Sequence, residues 1–81
     1  MKKDYDKYVN AKGLRCPQPL LQLKLAIKQV KKGEIVLLEA TDPHTDLDIE
    51  VWSQRFHHKI INTEYNAENY KFWIRKNGDI S

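Results

Sequence analysis

Leu20, Leu23, Ile27 and Val30 recur at i, i+3, i+7 and i+10. At about 100° per residue this spacing gathers them into one apolar stripe and predicts an amphipathic helix. Pro17 and Pro19 fit its first turn, where an amide proton would have no intrahelical partner, and Gly33 closes it after Lys31 and Lys32. On either side the period changes. Tyr5 to Asn10 mixes aromatic and β-branched residues with charges and reads as a short strand. "EIVLLEAT", residues 34–41, is a run of branched aliphatics closed by Asp42 and Pro43, which suits a buried strand. In "TDPHTDLDIE", Asp42 and Thr45 both resemble helix N-caps, so a second helix is expected to begin between Asp42 and Asp46, with Ile49, Trp52 and Phe56 on its inner face. "KIINTEY" and "YKFWIRK" flank "NAEN" as a terminal antiparallel hairpin, with Tyr70, Phe72 and Ile74 on one face.

This order predicts a two-layer α/β sandwich, βαβαββ, with a four-stranded mixed sheet and two helices on one face. If the first two strands run parallel, the loops leaving their C-terminal ends share one edge of the sheet. Arg15 and Cys16 then come near residues 42–45, and two helix N-termini converge there.

The 81 residues make one domain, 1–81, and show no repeat, linker or low-complexity tract. With 41% hydrophobic and 31% charged residues, the composition is that of a chain able to fold unaided. A net charge of +3 is too small to mark nucleic acid as a ligand. The single cysteine cannot form an internal disulfide, and "MKKDYDKY" lacks the apolar core of a signal peptide. Apolar runs fall far short of the roughly 18 residues of a membrane span. The expectation is a soluble protein of a reducing cytoplasm, with no membrane span.

The candidate chemistry centres on "GLRCPQPLL", residues 13–21. An unperturbed thiol titrates near a pKa of about 8.5, and both a helix N-terminus and an adjacent cation favour its anion. Cys16 stands where an N-cap residue stands and Arg15 supplies the cation, so the local sequence predicts an ionised, reactive thiol in a turn stiffened by Pro17 and Pro19. The competing reading of a lone cysteine is a small buried hydrophobe. No CxxC pair is present, which argues against a self-contained dithiol oxidoreductase, and any disulfide must be intermolecular and transient.

The cysteine-proline-any-proline motif, with its leading "GLR", resembles the signature of the TusA/SirA/YedF family of small sulfur carriers. The resemblance extends from about Asn10 to Gly78 through "KKGE", "TDPHTDLDI" and "YKFWIRKNG". It implies a sulfur carrier that accepts sulfane sulfur as a persulfide on Cys16 and passes it to an acceptor protein, a sulfurtransferase-like protein rather than a stand-alone enzyme. Arg15, Pro17, Gln18 and Pro19 would support that cysteine. The implied partners are a sulfur donor protein, of the cysteine desulfurase or rhodanese kind, and an acceptor sulfurtransferase. No metal or organic cofactor is implied. Two positions depart from the family pattern: Gln18 stands where many members have an acid, and Asn10 where an aspartate is common. A less negative surround should favour the thiolate further.

Other residues admit plainer readings. Lys24, Lys28 and Lys31 form a basic rib on the first helix, edged by Leu21 and Leu25. That rib suggests a partner-docking face or simply a solvated one, and it carries the alternative function, a noncatalytic interaction or regulatory module. Glu39 to Glu50 contains five acids and no Lys or Arg, so charge is polarised along the chain. His57 and His58 at a helix end read as dipole partners or solvated groups rather than metal ligands, and His44 is a candidate proton shuttle for Cys16. Trp52 reads as core. Trp73, alternating with Phe72, is expected on the far sheet face as an uncovered contact site.

Overall fold

The computed structural model describes residues 5–77. The first four residues of the charged N-terminal start and Gly78, where the family resemblance ends, lie outside the described residues. The elements are β1 (Lys7–Ala11), α1 (Gln18–Gln29), β2 (Ile35–Ala40), α2 (Thr45–Arg55), β3 (Lys59–Tyr65) and β4 (Tyr70–Arg75). The sheet order is β1-β2-β4-β3, with β1 parallel to β2 and β4 antiparallel to both of its neighbours. This is the expected βαβαββ sandwich. Cα extents of 33 × 31 × 17 Å leave room for one sheet and one helical layer, so one sheet face carries no further layer of secondary structure.

The core lies between the layers. Leu23 and Ile27 of α1 and Ile49 and Trp52 of α2 pack on Val36, Leu38, Phe72 and Ile74. Each such side chain, fully buried, contributes about 1.5–3 kcal/mol of transfer free energy. Alternation sends Leu37, Glu39 and Trp73 to the opposite face. Trp73 is nevertheless only 8% exposed, which corrects the expectation of an uncovered contact site. β4 is a central strand, and Trp73 is flanked across the ladder by Leu37 and Asn62. Glu39 is tolerated on this face because the Tyr8 hydroxyl donates to its Oε1 at 2.7 Å, which in turn pushes the Tyr8 phenol up to about 12.

Boundaries differ from the pattern in ways that have local causes. α1 stops at Gln29 and Val30 is extended, and the Lys76 ammonium donates to the Val30 carbonyl at 3.0 Å. Gly33, with φ +93°, therefore serves the turn into β2 rather than the helix end. His57 takes a left-handed conformation after α2. His58 is buried, its ring 4.8 Å from that of Trp52, and its Nδ1 accepts the Asn77 N–H at 3.3 Å, so it is not a solvated side chain. Among the described residues, no helix is long and apolar enough to cross a membrane.

Candidate functional site

The parallel register sets Ala11 against Ala40, so the β1–α1 and β2–α2 loops leave the same sheet edge side by side. Gly13, at φ +82°, turns the first loop so that its N–H donates to the Thr41 Oγ1 at 2.9 Å. Three residues on, the Cys16 N–H donates to the Asp42 Oδ2 at 2.6 Å. The other carboxylate oxygen of Asp42 accepts the His44 N–H at 2.9 Å and stands 3.2 Å from the His44 Nδ1. The Cys16 and His44 N–H groups hold the Asp42 carboxyl below the usual carboxylate range. The tie is therefore intact above that range and is lost only as pH falls through the lowered value, far from where a thiol titrates.

Cys16 is exposed, which disposes of the buried-hydrophobe reading. It opens on a cleft of about 560 Å³ lined by Leu14, Arg15, Asp42, Pro43 and His44 among others. Its Sγ–H donates to the Asp48 Oδ2 in the first turn of α2. That bond pushes the thiol above its ordinary range, and desolvation and the charges of Asp48 and Asp42 add to the rise. The expectation of an ionised thiol is thus reversed. A hydrogen bond donated by the neutral form favours the neutral form, and here it is made to an anion. The surround is not depleted of negative charge by Gln18 and Asn10, because Asp42 and Asp48 bring two carboxylates to the sulfur from the second loop and helix.

The capping expectations are corrected as well. Pro17, not Cys16, is the N-cap of α1, and neither helix has a side-chain cap bond. His44 is the N-cap of α2, while Asp42 spends its carboxylate across the loops, and Thr45 is buried with an unpartnered Oγ1. Asp48, which the chain pattern does not single out and which accepts the hydrogen bond of the thiol, is the residue that pattern reading missed. It lies four before Trp52, so helical spacing puts it on the same side of α2, but only the packing of α2 brings that side to the groove with Leu20 and Lys24 of α1.

Arg15 and His44 line the same cleft as Cys16, and Gln18 is exposed at the start of α1, its N–H donating to the Arg15 carbonyl at 2.7 Å. Pro19 is buried beneath the turn. Leu21 and Leu25 stand 43% and 55% exposed, Lys28 is exposed and Lys24 half-buried. Lys24 lines a groove of about 450 Å³ between the helices, with Leu20, Asp48, Val51 and Arg55. No group of three or more His, Cys, Asp or Glu residues among those described stands together as a metal site.

Comparison with known proteins bears on this arrangement. The family described as "Sulfurtransferase TusA" matches residues 7–76. YrkF and YrkI of Bacillus subtilis (strain 168), both provisionally named sulfur carrier proteins, are 36% and 35% identical over 90% and 88% of this chain. The sulfur carrier protein TusA of Buchnera aphidicola subsp. Baizongia pistaciae (strain Bp) is 34% identical over 84%. The chain spans 40% of the length of YrkF, 95% of YrkI and 86% of that TusA. A SirA-like protein from Desulfitobacterium hafniense has the same fold, with a TM-score of 0.77, 15% identity and coverage of 89% of this chain and 99% of its own. With a family match that runs from β1 to the residue after β4 and takes in both loops of the cleft, the chain belongs to the TusA sulfurtransferase family.

Proposed function

We propose that this protein is a persulfide carrier, with Cys16 receiving sulfane sulfur from a donor protein and yielding it to an acceptor. The observation that carries this reading is a lone exposed thiol at the mouth of an open cleft, its backbone pinned to the neighbouring loop by Asp42. Family membership supports it. In loading, the Cys16 sulfur gives up its proton and attacks the terminal sulfur of a donor persulfide. A new S–S bond forms on Cys16, the donor's S–S bond breaks, and the donor sulfur leaves with the electron pair and is protonated. In discharge, an acceptor thiolate attacks the terminal sulfur held on Cys16, which returns to the thiol. Each step exchanges one S–S bond for another, so no oxidant or reductant is consumed. Arg15 at the rim is placed to meet an anionic sulfur or a partner carboxylate.

Incubation with a cysteine desulfurase and cysteine is expected to add one sulfur atom, about 32 Da, to the intact protein, reversibly on treatment with a thiol reductant. If the mass does not change while the thiol still reacts with iodoacetamide, the reading fails.

The α1 face supplies a docking surface for the partners in this scheme, since Leu21 and Leu25 are exposed beside Lys24 and Lys28. Lys24→Glu with Lys28→Glu should leave loading by a small-molecule persulfide intact and slow loading by the desulfurase, with salt reducing the wild-type rate towards that of the variant. Equal rates with both donors would place docking elsewhere.

A further inference from the structure

We propose that Asp48 sets the direction of sulfur flow, stabilising Cys16 as the empty thiol and repelling the terminal sulfur once a persulfide has formed. This inference rests on the carrier reading above and specifies how that site is biased.

The bond from the Cys16 Sγ–H to the Asp48 Oδ2 exists only in the empty protein. In a persulfide the inner sulfur carries no hydrogen, so loading removes the donor outright. The proton then belongs to the terminal sulfur, and because a persulfide is a stronger acid than its thiol, that sulfur is anionic at neutral pH. It lies one S–S bond, about 2 Å, beyond the inner sulfur and meets the Asp48 carboxylate as a like charge. Asp48 thus loses a favourable contact and gains an unfavourable one in the same step. The other charged groups near the sulfur leave this intact. Asp42, from the β2–α2 loop, adds negative charge but is committed to the Cys16 and His44 N–H groups. Among the described residues, neither Arg15, on the cysteine's own loop, nor Lys24 and Arg55, which line the groove that Asp48 also lines, makes an ion pair with Asp48. A carrier biased in this way takes up sulfur only from a strong donor and gives it up readily.

The equilibrium Cys16–SH + GSS⁻ ⇌ Cys16–SS⁻ + GSH, with glutathione persulfide and glutathione as the probe pair, measures the bias directly. One S–S and one S–H bond form and one of each breaks, with the proton passing from Cys16 to glutathione. Intact-protein mass spectrometry reads the loaded-to-empty ratio at fixed probe concentrations. Asp48→Asn is expected to raise that ratio about two- to fivefold, the range that exposed charge interactions supply. Asp48→Ser, which removes the charge with a smaller side chain, should do the same, and Asp48→Glu should stay near wild type. Asp46→Asn removes an exposed first-turn charge that does not contact the sulfur and should change nothing. The proposal is overturned if the wild type loads but Asn and Ser leave the ratio unmoved, or if Asp46→Asn raises it equally. A wild type that gains no sulfur from the probe would instead overturn the carrier reading itself.

Discussion

Cys16→Ser is expected to eliminate sulfur loading while leaving the fold untouched, a complete loss against a background of unchanged stability. The side chain is exposed and outside the core, so its replacement opens no cavity. A serine hydroxyl can still donate to Asp48, and the backbone tie to Asp42 does not involve the side chain at all. What disappears is the chemistry: a hydroxyl does not ionise near neutral pH, and no other cysteine exists in the chain. Intact mass after incubation with desulfurase and cysteine should therefore match the untreated variant. The urea midpoint should fall within the scatter of ordinary surface substitutions. A Cys16→Ser protein that still gained one sulfur, or that unfolded, would show that Cys16 is not the carrier or that it is structural.

The site's electrostatics show where reading along the chain stops being informative. Arg15 is adjacent to Cys16 in sequence and was expected to ionise it; Asp48 is 32 residues away and decides the opposite. Coulomb and hydrogen-bond energies depend on distance through space, and the approach of α2 to the β1–α1 loop is fixed by the packing of Ile49 and Trp52 against the sheet. No local pattern encodes that approach. What local pattern does encode, it encoded well. The parallel pairing of the first two strands follows from the helix between them and brings the two loops to one edge, so the meeting of Cys16 with Asp42 was legible. Trp73 was placed on the correct face and given the wrong exposure, because alternation reports direction and not what lies beside a side chain in a central strand.

One consequence is that folding disfavours the thiolate form of Cys16. Folding raises the Cys16 thiol above its ordinary range, so at neutral pH the native protein holds less thiolate than a denatured one. Adventitious alkylation and oxidation follow thiolate character and are restrained accordingly.

Phe72→Ala is expected to cost about 3–5 kcal/mol of stability. A domain of this length holds about 4–12 kcal/mol in all, so the variant should be marginal or unfolded at 37 °C. Phe72 is 1% exposed and sits on the central strand β4, between Leu38 of β2 and Thr63 of β3, with the Tyr65 ring edge-on at 6.3 Å. Truncation would empty space in the core cluster between sheet and helices, and a sheet stiffened by ladders on either side cannot close it. Urea denaturation followed by circular dichroism should show a lower midpoint, against a shift of under about 0.5 kcal/mol for Leu25→Ala on the exposed side of α1. The site should report the same event. The contacts of Cys16 with Asp42 and Asp48 join segments that only the sheet and its helical layer hold together, so unfolding removes both and returns the thiol to ordinary behaviour. Iodoacetamide labelling of Phe72→Ala at neutral pH should then be faster than in the wild type and should lose its dependence on Asp48. Labelling that stayed slow in an unfolded variant would mean that the restraint on the thiol is local to its own loop.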